Sequence, residues 1–336
     1  DRTGALRDMV QNHALQLLTM VAMEPPSSAH ADAIRDEKLK VLRSLKPFDE
    51  SSVTRDVIRG QYRAGAIEGQ AVPGYLDEAK VPTDSSTETF VALRCEIQNW
   101  RWAGVPFYLR TGKRLAHRHA EIVVNFRPTP HSIFPGAQSP NKLVIKLQPD
   151  DGLELHLLAA KGSVHTLGSG QEVLSPVSLD LDFDKAFPTE RVGAYERMLL
   201  DALAGRLNLF VRSDEQEQAW RWVEPILHSW SKDSSGLRTY AAGSWGPAAA
   251  SAPPALPPKR ESAMHSELVI TISTTISPIT VPTLCGPSSA ASKGTPIKPV
   301  LGKATTSAPK AASFQPKPRR MESATTSATS SSATSR

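Results

Sequence analysis

The chain has 336 residues, of which 40% are hydrophobic and 6% aromatic, which suits one large domain or two smaller ones with a true core. Its two cysteines exclude a disulfide framework and a paired-cysteine metal site and fit a reducing compartment, and no apolar run approaches the ~20 residues of a membrane-spanning helix. The net charge of +5 is unevenly distributed. Residues 253–336 hold ten basic and three acidic side chains, whereas residues 1–252 hold 29 basic and 31 acidic ones. A nucleic-acid-binding role argued from charge would therefore depend on the tail alone.

Helical patterns open the chain. Residues 3–23 are predicted to form a helix that ends before Pro25, with an apolar stripe that includes Leu6, Val10 and His13. A second helix is predicted over residues 31–45, before Pro47. The polar stretch that follows, residues 51–82, is too long for a simple loop, so we expect either a functional excursion or extended chain packed over the core.

Strand patterns come next, in one block. Short β-branched or aliphatic runs predict strands over residues 90–97, 106–110, 121–126, 142–147 and 153–158. Their short connections favour an antiparallel sheet. Two amphipathic helices, over residues 190–206 and 214–230, close the body. A helix, a block of strands and then further helices indicate an α+β fold: a large, mainly antiparallel sheet with helices packed on one side.

The composition changes near Ala252. Residues 253–336 contain 27 Ser or Thr, 12 Pro and one aromatic residue, Phe314. Such a segment buries too little apolar area to offset its conformational entropy, so we predict a disordered tail and exclude it from the fold. Residues 268–279, rich in Ile and Thr, are the exception, and could form an exposed strand or an aggregation-prone patch.

His13 and Asp8 are the first candidate functional residues. A histidine titrates near neutral pH and could act as a general base, although a core histidine bonded to a backbone carbonyl is the commoner outcome of this pattern. On a regular helix Asp8 would lie about 140° around the axis from His13, so the two would not form a dyad. They could still flank one ligand, while an acidic residue in a first turn is also ordinary.

The second candidate is the cationic run from Arg110 to Arg114, with Lys113 in it and Arg118 shortly after. It follows a short apolar strand, and Gly112 permits a turn that could aim Lys113 at an anion such as a phosphate ester. A strand edge protected by charge is an equally good interpretation. His117 and His119 flank Arg118, but without a clear third ligand they are weak evidence for a metal, and no metal site is predicted. The body has no Gly-rich loop between a strand and a helix, so no nucleotide-binding unit is predicted either.

Several motifs together resemble one known family. They are GALRDMVQNH from Gly4 to His13, VAMEPP from Val21 to Pro26, RGQY from Arg59 to Tyr62, VPFYLRTGKRL from Val105 to Leu115, SLDL from Ser178 to Leu181, YERMLLD from Tyr195 to Asp201 and GSWGPA from Gly243 to Ala248. In this order they resemble the C-terminal domain of glucose-6-phosphate dehydrogenase. The resemblance covers residues 1–252, which we take as one domain, with residues 253–336 as a separate low-complexity tail.

The resemblance implies roles for four residues. His13 would accept the C1-hydroxyl proton of glucose 6-phosphate while the C1 hydride passes to NADP, giving the 6-phosphogluconolactone of the oxidative pentose phosphate pathway. Asp8 would contact the sugar, and Lys113 and Arg118 would also bind substrate. The cationic run would then serve a phosphate dianion.

The family's N-terminal NADP-binding domain has no counterpart in this sequence, so the residues that hold the cofactor are unknown and we expect the isolated chain to have no measurable dehydrogenase activity. The resemblance also implies a cytoplasmic homo-oligomer, a dimer or tetramer, formed through the sheet. The absence of a long apolar run and the thinly spread charge of the tail predict no membrane or nucleic-acid partner. The alternative is a catalytically inactive remnant that acts only as an oligomerising domain.

Overall fold

The computed structural model describes residues 3–127, 131, 140–160, 174–187, 193–232, 235–250 and 269–276. These residues belong to one compact unit, Asp1–Thr280. A second unit, Val281–Arg336, lies outside the described residues, as does most of the tail for which disorder was expected.

Seven helices of varied length occur among the described residues. In chain order they are a π-helix (Leu6–Ala14), α1 (Leu15–Ala22), α2 (Ala31–Arg43), α3 (Glu50–Asp56), α4 (Phe183–Ala186), α5 (Ala194–Leu203) and α6 (Ser213–Lys232), apart from two short 3₁₀ turns. The predicted opening helix is confirmed in extent, but its first half is π-helical. Helix α3 begins with a capping box, in which the carboxylate of Asp49 accepts a hydrogen bond from the backbone N–H of Ser52 and the Ser52 hydroxyl bonds the backbone of Asp49.

The strands form one large sheet and one hairpin. In chain order they are β1 (Val57–Arg63), β2 (Gly65–Ile67), β3 (Gln70–Val72), β4 (Phe90–Glu96), β5 (Pro106–Lys113), β6 (Ala120–Asn125), β7 (Lys142–Gln148), β8 (Gly152–Ala160), β9 (Leu174–Asp182), β10 (Leu237–Ala241) and β11 (Val269–Ile276). Strands β2 and β3 form the hairpin, and the other nine form the sheet in the order β10-β1-β4-β5-β11-β6-β7-β8-β9.

The sheet is mainly antiparallel, as predicted. Only the pairs β1–β10 and β5–β11 are parallel among the described strands. The π-helix, α1, α2 and α6 share one hydrophobic core with residues on one face of β4 and β5, such as Val91 and Phe107. Phe90, which alternates with Val91 and so faces the other way, belongs to a smaller cluster with Tyr62 and Tyr240. The expected α+β architecture is therefore confirmed.

Two expectations need correction. The polar stretch 51–82 holds α3, β1 and the β2–β3 hairpin, and β1 is an interior strand of the sheet between β10 and β4. The exclusion of the tail from the fold is wrong for β11. The sequence predicts an exposed strand or an aggregation-prone patch over residues 268–279, but β11 is an interior strand whose Ile272 is fully buried in the main core. A β-branched segment of this kind gains apolar burial that outweighs its unpromising sequence neighbourhood.

Candidate active site

His13 lies near the end of the π-helix and is exposed, so it is not on a buried stripe as the pattern predicted. The buried residues of this segment are Leu6, Val10, Gln11 and Ala14. A regular α-helix repeats every 3.6 residues, whereas a π-helix hydrogen-bonds residue i to residue i+5 and therefore winds more slowly. The change of winding moves His13 out of the core.

The same winding changes the relation between His13 and Asp8. Residues five apart are hydrogen-bonded neighbours on successive turns of a π-helix, as between the N–H of Leu15 and the carbonyl of Val10 at its end. Asp8 and His13 are five apart, and both are exposed. The structure therefore places them on one side of the segment, which corrects the separation of about 140° expected for a regular helix.

Glu88 holds the start of this helix. Its carboxylate accepts a hydrogen bond from the N–H of Leu6 at 3.0 Å, and its backbone carbonyl accepts one from the N–H of Ala5 at 3.0 Å. Burial raises the pKa of the Glu88 carboxyl, although its bond to the Leu6 N–H opposes that shift. An acidic group at a helix N-terminus also offsets the positive end of the helix dipole. Glu88 therefore fixes where the segment that carries Asp8 and His13 begins.

The residue after Glu88 holds the end of β5. The carbonyl of Thr89 accepts a hydrogen bond from the N–H of Lys113 at 2.9 Å, and the Tyr240 hydroxyl donates to the carbonyl of Lys113 at 2.7 Å. Because Glu88 and Thr89 are consecutive, the start of the π-helix and the end of β5 lie next to each other. The structure thus brings the backbone of Lys113 towards the segment of Asp8 and His13.

The cations near Lys113 differ in their availability. Arg114, at a φ of 56°, is paired with Glu78 at 3.2 Å. Arg110 is partly buried, with its guanidinium over the rings of Phe90 and Trp245, and desolvation lowers its pKa. Lys113 is partly exposed and Arg118 is exposed in the β5–β6 loop, and neither side chain makes a hydrogen bond or ion pair with another described residue. Lys113 and Arg118 are therefore free to meet an anion.

His117 and His119 do not form a metal centre with the residues around them. Both rings pack edge-on against Trp245, with centroids 5.8 and 5.4 Å away. No group of three or more potential ligands that could hold a metal ion occurs within the described ranges.

The described part of the chain contains no recognisable dinucleotide-binding site. Dinucleotide folds bind the pyrophosphate at a Gly-rich turn between a strand and the helix that follows it in a βαβ unit. The two parallel strand pairs, β1–β10 and β5–β11, join strands far apart in sequence and carry no such turn. The residues described do not fit NADP. Nor is any helix among them long and apolar enough to cross a membrane.

Sequence reasoning missed Glu88, Thr89 and Tyr240. They lie in a polar stretch and in a short strand, and their roles depend on contacts between residues as far as 151 positions apart. The sequence around Glu88 offers only an acidic residue between two threonines, Thr87 and Thr89, and does not show that it is buried.

Comparison with known proteins gives one consistent result. The family model of the glucose-6-phosphate dehydrogenase C-terminal domain matches residues 1–255. The chain is 53% identical over 250 residues to a glucose-6-phosphate 1-dehydrogenase of Rhizobium meliloti. The matched region covers 74% of this chain and 50% of that protein. The chain is 49% identical over 250 residues to that of Mycolicibacterium smegmatis, with 74% and 49% covered.

Solved structures agree. A glucose-6-phosphate 1-dehydrogenase from Mycobacterium avium superposes with a TM-score of 0.58 at 39% identity, covering 74% of this chain and 50% of that one. A glucose-6-phosphate dehydrogenase in complex with its substrate glucose-6-phosphate gives a TM-score of 0.65 at 33% identity, with 73% and 49% covered. The chain thus spans about half the length of the curated relatives that it matches.

Proposed function

The chain belongs to the glucose-6-phosphate dehydrogenase family as a C-terminal domain, and from that premise we propose that it forms the sugar-phosphate half of an enzyme that oxidises glucose 6-phosphate to 6-phosphogluconolactone. The observation that carries the proposal is the π-helix, which displays Asp8 and His13 on one side and begins beside the cationic end of β5.

Each residue has a role that its surroundings support. His13 is exposed, and a neutral imidazole can act as a general base. We therefore assign to His13 the role of accepting the proton of the C1 hydroxyl. Asp8, on the same side, would accept hydrogen bonds from sugar hydroxyls. Lys113 and Arg118 would bind the phosphate, since charge-assisted hydrogen bonds to a dianion are among the strongest that a protein makes.

The hydride acceptor is proposed to be NADP. When bound, NADP would act as the two-electron oxidant of the reaction. Since the described residues do not fit a dinucleotide, no step through the cofactor is assigned to them. We therefore expect the purified chain to bind the sugar phosphate without turning it over.

A second candidate function, an oligomerising domain, is favoured by the exposed apolar side chains of α5 and β9. Tyr195, Leu199 and Leu203 of α5 are 86%, 66% and 86% exposed, and Leu179 of β9 is 61% exposed. Isolated apolar residues are common on protein surfaces, but several on one element are typical of an interface. We propose a homo-oligomer in the cytoplasm; the free buried Cys95 is consistent with a reducing compartment.

The test is calorimetric titration of the purified full chain with glucose 6-phosphate, with glucose as the ligand that lacks the phosphate. Replacement of Lys113 by Ala should weaken binding by about 10-fold to 100-fold, the equivalent of one charge-assisted hydrogen bond. Lys142→Ala is the matched control, because Lys142 is a partly buried lysine at the start of β7. His13→Asn should leave binding nearly unchanged.

Failure of the wild-type chain to bind glucose 6-phosphate more tightly than glucose would contradict the proposal. NADPH formation is measured in parallel. Turnover by the wild-type chain that disappears in His13→Asn would support the role of His13 and would show that our expectation of an inactive isolated chain is wrong.

A further inference from the structure

Strand β11 comes from the low-complexity tail and yet occupies the interior of the sheet. It pairs parallel to β5 over Ile270–Ile276 and antiparallel to β6 over Val269–Thr274. Both neighbours belong to the body of the domain, so the tail segment fills a gap between two strands that are not paired with each other.

At one end of the gap, β5 and β6 are joined by a loop that hydrogen-bonds to residues outside β11. Residues 114–119 connect β5 to β6 across the end of β11. Within this loop the N–H of Ala116 donates to the carbonyl of Ser244 at 3.1 Å, and the carbonyl of Arg114 accepts from the N–H of Gly243 at 2.8 Å. The end of β5 is held by Thr89 and Tyr240. These contacts do not involve β11, so the end of β5 and the first part of the loop have support of their own. With β11 between them, β5 and β6 lie two strand spacings apart, about 9–10 Å.

The outer edges of β5 and β6, which face away from β11, are paired with other strands of the body. Strand β5 pairs with β4 along seven register positions, and β6 pairs with β7. The remaining edge of each strand is the one that pairs with β11. An unpaired edge in the middle of a sheet costs the hydrogen bonds of its backbone groups.

The gap also selects side chains. Ile272 is fully buried in the main core, which includes Leu6 and Val10 of the π-helix, whereas Thr271 is only partly buried. Thr274 fits less well: it is buried opposite Thr111 of β5, and the hydroxyls of both residues lack a hydrogen-bond partner among the described atoms. The gap therefore favours an apolar residue at position 272 and would accept one at position 274.

We propose that the gap between β5 and β6 is a strand-docking site for an extended, β-branched segment of about eight residues, and that its occupant is the chain's own Val269–Ile276. Docking of this kind uses backbone hydrogen bonds for affinity and alternate side chains for specificity. The tether keeps the segment at a high effective concentration, so it outcompetes free peptides. This inference does not depend on the dehydrogenase activity.

The first test offers the strand as a separate molecule. The probe is a fluorescein-labelled peptide of residues 267–278, titrated into the full chain carrying Ile272→Asp, which should empty the gap. We expect a saturable rise in anisotropy and at least tenfold weaker apparent binding to the wild-type chain, whose gap is occupied. A peptide with Thr274→Val should bind roughly fivefold tighter, and a peptide with Ile272→Asp should not bind. Failure of the folded variant to bind the wild-type peptide, or equal binding of the Asp peptide, would overturn the proposal.

The second test does not require an emptied gap. Thr271 and Val123 are register partners across β11 and β6, so Thr271→Cys with Val123→Cys, in a chain with Cys285→Ser, should form a disulfide within one chain on mild oxidation. The out-of-register pair Thr271→Cys with Asn125→Cys should react at least tenfold more slowly. Cross-linked dimers would show that the occupant is a second copy, and no difference between the pairs would show that the segment is not docked; either result refutes the assignment.

Discussion

At the scale of single residues, Gly4 combines a left-handed backbone conformation with a close neighbour. It has a φ of +74°, and a Cβ there would lie 2.7 Å from Cδ of Glu88. Gly69 has a similar φ of +79° with no atom within 4 Å of its would-be Cβ. The two glycines share the conformational requirement, and only Gly4 adds a close approach to a second residue.

We expect Gly4→Ala to destabilise the chain more than Gly69→Ala. The left-handed conformation alone costs an alanine about 1–2 kcal/mol, which is the effect expected at position 69. Overpacking against Glu88 should add about 1–3 kcal/mol at position 4. Urea unfolding of both variants measures the difference. Equal losses would mean that Glu88 moves away without cost and does not fix the start of the π-helix.

Glu88 leads to a prediction about pH. Because burial raises its pKa above the ordinary value of 4.5, the folded chain binds this proton more tightly than the unfolded chain does. The stability contributed by the protonated group is then fully present below pH 4.5 and is lost as pH rises through the raised pKa. Glu88→Gln keeps an oxygen that can accept the Leu6 N–H but never becomes charged.

The Gln variant should therefore gain stability relative to the wild type as pH rises from 4 to 8. Urea midpoints across this range give the comparison. Glu78→Gln is a control carboxylate, since Glu78 is partly exposed and paired with Arg114. If the wild-type and Glu88→Gln midpoints ran parallel with pH, burial would not be perturbing the Glu88 carboxyl.

At the scale of secondary-structure elements, one buried ion pair joins two helices. Lys38 of α2 lies 2.8 Å from Glu215 of α6, and their side chains are 8% and 0% exposed. The other carboxylate oxygen of Glu215 accepts the N–H of Arg212 at 2.8 Å. Removal of the lysine leaves a buried carboxylate without its counter-charge.

Lys38→Met should therefore cost about 3–5 kcal/mol, the usual effect of breaking one side of a buried pair. Lys40→Met is the matched control on the same helix, because Lys40 is 69% exposed in its pair with Glu37, and exposed pairs contribute only about 0–1 kcal/mol. Chemical denaturation of both variants measures the two losses in the free energy of unfolding. A loss of stability as small for Lys38→Met as for Lys40→Met would mean that water reaches Glu215 in the folded state.

The elements that sequence could predict are those whose apolar residues repeat with a regular period. Helices α2 and α6 and strands β4 to β8 are predictable in this way. Strand β1 is not, because its polar Gln61 is buried yet satisfied, with its amide donating to the carbonyls of Ser85 and Thr87. The π-helix has no signature in composition, because its winding depends on hydrogen bonding that a pattern of side chains does not encode. Strand β11 could be predicted only as an exposed strand or an aggregation-prone patch, because the strands that bury it lie some 150 residues away in the sequence.

The candidate site shows the same limit. The resemblance placed His13, Asp8, Lys113 and Arg118, and these roles stay proposals. What sequence could not supply is the connection between them: Glu88 bonds the start of the π-helix across 82 positions, and Thr89 bonds the end of β5. Contacts between distant residues follow from the assembled sheet and not from local pattern.

At the scale of the whole molecule, exposed apolar side chains occur together on α5 and on β9. Helix α5 exposes Leu199 and Leu203, which are four residues apart and so lie on the same side of the helix. Strand β9 is an edge of the nine-stranded sheet and exposes Leu179 and Leu181. An edge strand with exposed leucines is normally protected by charge or covered by another surface, and this edge therefore favours contact with a second chain.

We predict that the full chain is an oligomer and that Leu199→Glu with Leu203→Glu dissociates it. Each leucine buried at an interface contributes about 1.5–3 kcal/mol, so losing two and introducing two carboxylates should raise the dissociation constant on the order of 100-fold or more. Sedimentation velocity over a range of concentrations measures the shift. Leu76→Glu is the control, since Leu76 is 38% exposed and lies outside α5 and β9, and it should leave the distribution unchanged. A wild-type chain that sediments as a monomer at every concentration would show that these side chains alone do not drive assembly, and would leave the sugar-phosphate site as the better account of the domain.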